Sequence, residues 1–149
     1  MEQSLRFVIP ALLGTEGLVS REVEKLGLRE VRAENGRVLC AGGPGDVPRL
    51  NLNLRLGARV LICLGSFPAR SFEELFEGTR ALPWEAFIPK NGRFPVKGYC
   101  LRSQLHSVPS CQAIVKKAAA KRLGGKYGLD TLPETGALYQ IQFSLMGDQ

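Results

Sequence analysis

With 149 residues, 44% of them hydrophobic, and a net charge of +6, the chain can bury a core as one domain or two small ones and suits a polyanionic partner. No apolar run approaches the ~20 residues that a bilayer-spanning helix needs. The opening MEQSLRFVIPALLG carries charge too early for a secretory signal, so a cytoplasmic chain with no membrane partner is expected. Four cysteines without CxxC spacing and a single histidine, His106, argue against a zinc site; Cys40, Cys63 and Cys100 read as small buried hydrophobes.

Leu5 to Pro10 is a β-rich run closed by proline, a first strand. Leu12-Leu13-Gly14-Thr15 turns the chain, and Thr15 or Gly17 opens a helix from Gly17 to Leu26. Leu18, Val19, Val23 and Leu26 give it one apolar face, and Gly27 suits a left-handed cap. Glu30 to Glu34 is a strand, Asn35-Gly36 a hairpin turn, and Arg37 to Ala41 the partner strand. After Gly42-Gly43-Pro44-Gly45, Asp46 caps a second helix that runs to about Leu56. Arg59 to Phe67 is nearly continuous in apolar residues and reads as a central strand. The order β-α-β-β-α-β over residues 1–67 is the split, ferredoxin-like arrangement. The GGPG loop lacks the Lys-Ser/Thr of a phosphate cradle and reads as a plain break.

A second α/β subdomain is expected over residues 68–149, making the whole chain α+β in two layers. Ser71 and Glu74 form a capping box for a helix through Leu75, Phe76 and Arg80. Pro83 to Pro89 is an aromatic turn, Asn91-Gly92 turns again, and Arg93 to Leu101 forms a strand. A loop from Arg102 to Val108 leads to a helix from Ser110 to Leu123, which Gly124-Gly125 stops. Ala137 to Met146 alternates, with Tyr139, Ile141, Phe143 and Leu145 on its buried face. Gly147-Asp148 then signals a turn, so the chain is expected to be a piece cut short within this subdomain.

Between Glu85 and Asp130 there is no acidic residue, but there are nine basic ones: Lys90, Arg93, Lys97, Arg102, Lys116, Lys117, Lys121, Arg122 and Lys126. Such a segregated block makes a stronger field than interspersed charge. At about 100° per residue, Cys111, Ile114, Val115, Ala118, Ala119 and Leu123 fill one half of the helix from Ser110. Lys116, Lys117 and Lys121 fall on the other half. Arg122 falls near the apolar arc and is expected to snorkel outward or meet the last carbonyls. No acid lies at i±3 or i±4 to relieve the lysines. The loop ahead supplies Arg102, Ser103, Gln104, His106 and Ser107, groups suited to phosphate and 2′-hydroxyl contact beside a helix N-terminus. His106 has no catalytic companions and reads as structural, and the apolar arc claims Cys111, so no catalytic residue is assigned.

The run FPVKGYCLRSQLHSVPSCQAIVKKA resembles the THUMP domain of RNA-modifying enzymes. More narrowly, it resembles the THUMP region of bacterial SAM-dependent 23S rRNA guanine-N2-methyltransferases. The likeness continues through RSFEELFEGTRALPWEAFIP. At the start, FVIPALLGTEGLVSREVEKLG and ENGRV are similar to the ferredoxin-like segment that precedes THUMP in that family. The resemblance implies structured RNA, 23S rRNA, as partner, with contacts from Lys97, Arg102, Ser103, Ser107, Lys116, Lys117 and Lys121. It also implies a downstream methyltransferase domain that binds S-adenosylmethionine. This chain shows neither a glycine-rich SAM loop nor an Asn-Pro-Pro-Tyr-like motif, so it is expected to bind no cofactor and to be inactive alone. A non-catalytic RNA-binding adaptor and the THUMP part of a tRNA thiolation enzyme stay open as alternatives.

Overall fold

The computed structural model describes residues 4–55, 59–105 and 107–149. It divides into two compact units, Met1–Cys63 and Leu64–Gln149.

The first unit is a four-stranded antiparallel sheet in the order β2-β3-β1-β4. Its strands are β1 (Leu5–Pro10), β2 (Arg29–Glu34), β3 (Arg37–Gly42) and β4 (Leu61–Cys63); α1 (Glu16–Lys25) and α2 (Asp46–Asn53) complete the split βαββαβ order. Alternation puts Leu5, Phe7 and Ile9 of β1 and Val38 and Cys40 of β3 inside. Val19 and Val23 of α1 and Leu50 of α2 are fully buried, while Leu18, expected on the same face of α1, is half exposed.

Three sequence expectations change here. α1 begins at Glu16, whose carboxylate accepts from the amides of Gly14 (2.8 Å) and Gly36 (2.9 Å) and so ties the β1–α1 turn to the β2–β3 hairpin. At α2, Gly45 holds the cap position and Asp46 is the first helical residue; the Asp46 carboxylate reaches back to the Gly43 amide at 2.8 Å. That amide is thereby occupied, consistent with a structural GGPG loop. The expected central strand Arg59–Phe67 shrinks to Leu61–Cys63 at the sheet edge, half-buried and, among the described residues, paired only with β1. Its apolar run is continuous because it serves two cores: Leu64 and Phe67 pack against the core of the second unit.

The second unit contains α3 (Phe72–Arg80), a 3₁₀ turn (Trp84–Ala86), β5 (Val96–Leu101), α4 (Val108–Tyr127) and β6 (Ile141–Met146). Ser71 accepts from the Glu74 amide at 3.1 Å, as a capping box requires, but Glu74 returns the bond to Arg70, one residue early. β5 and β6 pair in parallel, joined by α4 in a β-α-β unit, with Arg93 and Leu138 bridging just ahead. Phe94, Leu105, Cys111, Val115, Ala119, Leu123, Ile141 and Leu145 belong to its core, together with Leu75 and Trp84.

α4 does not stop at Gly124-Gly125. It runs through both to Tyr127, and Gly128 reverses the chain with φ 67°. The Leu129 amide then bonds back to the Gly124 carbonyl at 2.9 Å, the six-to-one bond of a Schellman end. Gly124 is required sterically, because a Cβ there would sit 2.7 Å from the Leu129 carbonyl oxygen.

Candidate nucleic-acid interface

The buried stripe of α4 (Cys111, Val115, Ala118, Ala119 and Leu123) orients the helix and turns Lys117 and Lys121 outward. Both lysines are exposed, and among the described residues neither has an acidic partner. The alanines around them keep that face low.

Lys116 stands apart from this pair. Its ammonium donates to Glu134 at 2.5 Å and to the Phe94 carbonyl at 3.1 Å, and lies 3.6 Å from the centroid of the Phe94 ring. The bond from Lys116 holds the Glu134 carboxyl below the ordinary range. On the helix wheel Lys116 borders Leu123, so its stem follows the apolar edge before its charge finds an acid.

Lys97 is also separated. On β5, Val96 and Cys100 pack against the core, and alternation sends Lys97, Tyr99 and Leu101 to the opposite, exposed face. α4 packs on the core side, so the sheet lies between Lys97 and the helix lysines.

The loop between β5 and α4 is organised by Asp148. Its Oδ1 accepts from the Ser103 hydroxyl (3.0 Å) and the Gln104 amide (2.7 Å), and the Ser103 hydroxyl in turn accepts from the Leu105 amide at 3.1 Å. The Gln104 amide, then Ser103, lower the Asp148 carboxyl below the usual aspartate range. Arg102 is exposed, with a left-handed φ of 52°. Ser107 occupies the cap position of α4, but its hydroxyl bonds Ser110 at 2.9 Å instead of a helix amide. Pro109 removes one donor from the first turn. His106 lies outside the described residues.

Arg122 departs from its expected outward path. It forms a two-pronged pair with Glu85 on the 3₁₀ turn, at 3.0 and 2.8 Å. The bond from Arg122 pulls the Glu85 carboxyl down to about 2. Cys111 is buried, with its sulfur 3.8 Å from that of Cys100, and burial pushes its thiol up to about 11, which suits packing and not nucleophilic attack. Among the described residues no three His, Cys, Asp or Glu side chains cluster to hold a metal, and no helix is long and apolar enough to cross a membrane.

Two basic residues outside the expected set join Lys121. Arg80 ends α3 and Lys126 lies in the last turn of α4, and both line a cleft of about 400 Å³ between those helices. Sequence spacing within α4 cannot show this, because Arg80 comes from another helix.

Comparison with known proteins follows this architecture. Residues 6–61 match the family model described as the RlmL ferredoxin-like domain, and residues 69–149 match the THUMP domain. The chain is 44% identical over 144 residues to the Bacillus subtilis protein named "Putative RNA methyltransferase YpsC", covering 95% of this chain and 37% of that one. It is 29% identical over 116 residues to the "Ribosomal RNA large subunit methyltransferase K/L" of Pseudomonas entomophila, covering 78% of this chain and 16% of that one. A Listeria monocytogenes structure, titled a predicted N6-adenine-specific DNA methylase, superposes with a TM-score of 0.94 at 45% identity over 98% of this chain and 38% of its own. The structure of SMU.472, titled a putative methyltransferase complexed with SAH, gives 0.92 at 41% identity over 99% of this chain and 40% of its own. This chain therefore spans at most about two fifths of these relatives. It belongs to the THUMP family, with an RlmL-type ferredoxin-like domain ahead of its THUMP domain.

Proposed function

We propose that the chain is the RNA-holding portion of a SAM-dependent RNA methyltransferase whose substrate is structured 23S rRNA and whose methyl acceptor is a guanine N2. The observation that carries the reading is a THUMP domain whose longest helix presents Lys117 and Lys121 with no acidic partner among the described residues. Arg102, on the loop leading into that helix, extends the cationic surface. Recognition is mainly of backbone and shape, as for most folded RNA.

Methyl transfer belongs to a downstream domain, where S-adenosylmethionine binds, and this chain alone transfers no methyl group. The relatives are named methyltransferases of much greater length, and one of them is complexed with SAH. The residues present here do not fit that cofactor: the one glycine-rich loop has its Gly43 amide bonded to Asp46. The protein works in the cytoplasm, with structured RNA and the methyltransferase domain as its partners.

With Lys116 held by Glu134 and Lys97 across the sheet, Arg102, Lys117 and Lys121 remain as phosphate contacts. Three contacts give a slope of log affinity against log salt of about −2 to −3. Fluorescence anisotropy with a labelled 23S rRNA hairpin tests this. Lys117→Glu with Lys121→Glu is expected to weaken binding about tenfold or more without lowering the melting temperature. Salt-independent affinity, or equal affinity for the matching DNA hairpin, refutes an RNA grip.

A further inference from the structure

We infer that the cleft between the end of α3 and the last turns of α4 is a second anion site, and that it takes a phosphodiester of the bound RNA backbone. The inference rests on the RNA-holding reading and adds a site to it. Glu77, Arg80, Lys121, Arg122, Gly125 and Lys126 line the cleft.

The sequence of α4 changes character where the cleft opens. Cys111, Ile114 and Ala118 are small or apolar, and all three lie in or against the core. The positions four and seven residues beyond Ala118 on the same stripe are Arg122 and Gly125. Continued burial would place apolar groups there. α3 ends at Arg80, and beyond that point the stripe borders the open cleft.

The charge in the cleft is poorly matched. Glu85 satisfies Arg122. Arg80, Lys121 and Lys126 are exposed, and Glu77 is the one carboxylate among the lining residues. A bound anion balances the excess, and a singly charged phosphodiester with its neighbour along the strand does so without burying a carboxylate.

Gly125 supplies a separate observation. A glycine inside a helix is costly compared with alanine. Gly124 has a steric reason in the Leu129 carbonyl, but a Cβ at Gly125 meets nothing within 4 Å and its φ is not left-handed. Packing does not require this glycine. It leaves bare backbone on the wall of the cleft, where a phosphate can approach closely. Lys121 lines the cleft and also stands beside Lys117, so one RNA strand can occupy both surfaces.

Adding Arg80 and Lys126 raises the contacts from three to five and steepens the salt slope to about −3.5 to −4.5. In the full chain, Arg80→Gln with Lys126→Gln is expected to weaken hairpin binding about tenfold and to flatten the slope by about two. Gly125→Glu, which has room to fold, gives a similar loss of binding without a lower melting temperature. In the isotope-labelled protein, the hairpin shifts the Gly125 and Lys126 amide resonances. Full affinity in the cleft variants alongside a loss in Lys117→Glu overturns the cleft and leaves the RNA-holding reading standing. A cleft that responds to inorganic phosphate but not to the hairpin takes a free anion, which overturns the backbone assignment. A wild-type chain that binds no hairpin removes both.

Discussion

Glu85→Gln removes the carboxylate that holds the end of α4 to the 3₁₀ turn. Arg122 draws the Glu85 carboxyl from its ordinary 4.5 down to about 2. Counted whole, that displacement stabilises the ionised fold by about 3 kcal/mol, at roughly 1.4 kcal/mol per pH unit. About a quarter of each side chain remains in water, and screening reduces the figure to about 1–2 kcal/mol. For a unit of this size that corresponds to a fall of about 5–10 °C in melting temperature at pH 7. The sign with pH follows from a depressed folded value: the contribution is full above 4.5 and is lost as pH falls towards 2. Trp84, the only tryptophan, is buried beside the pair, with its indole N–H bonded to the Thr79 carbonyl at 2.8 Å, so its fluorescence reports this unit alone. Melting followed at Trp84 should show the wild type losing stability between pH 5 and 2 more steeply than the variant. Equal melting at pH 7, or parallel pH profiles, would refute a stabilising role for the pair.

Glu134→Gln frees the Lys116 ammonium; the same fluorescence melt should show a loss of about 0.5–1 kcal/mol, since both side chains are more than a third exposed, while hairpin affinity rises a few-fold. Asp148→Asn weakens the tether of the β5–α4 loop, and amide exchange at Gln104 should speed up. In the wild type the protection of that amide, its rate relative to an unstructured chain at the same pH, should fall as pH drops through the lowered Asp148 value, the tether being complete above the ordinary aspartate range. Gly124→Ala and Gly125→Ala should move melting in opposite directions: the first meets the Leu129 carbonyl and destabilises by about 1–2 kcal/mol, and the second meets nothing and stabilises by about 0.5–1 kcal/mol. Two shifts of the same sign would contradict the steric account of Gly124.

Local signals were readable where one rule decided the outcome. Asn35-Gly36 turned between β2 and β3 as expected, with Glu34 paired to Arg37 and φ 79° at Gly36. Ser71 capped α3. The alternation after Tyr139 placed Ile141 and Leu145 inside. Sequence signals mislead where one segment answers to two environments. Arg59 to Phe67 looked like a central strand because its apolar residues are contiguous, but three of them serve the edge of one sheet and Leu64 and Phe67 another core. Gly124-Gly125 looked like a stop because glycine is common at helix ends, and the stop is Gly128, three residues past the last of them. Nothing local separates the three glycines. The folded backbone does: a Cβ at Gly124 would meet the Leu129 carbonyl, one at Gly125 meets nothing, and Gly128 takes the left-handed φ.

The basic interval shows the same limit in its electrostatics. Residues 86–129 contain no acid, yet three acids from beyond that stretch fold back onto it. Glu85 takes Arg122, Glu134 takes Lys116, and Asp148 takes the amide and hydroxyl ahead of α4. Each acid meets a group at the border of the buried stripe or in the loop, where an unpaired polar group would cost most. None meets Lys117 or Lys121, which stand in the open and need no partner to be stable. A helical wheel gives the direction of a side chain but not which charge comes to meet it, so it ranked Lys116 with Lys117. Burial sorts them: the acids hold α4 in place through its flanking cations, and the cations left over are those the solvent face exposes. A charge block in sequence therefore overstates the binding surface by the cations that the fold uses for itself, here Lys116 and Arg122.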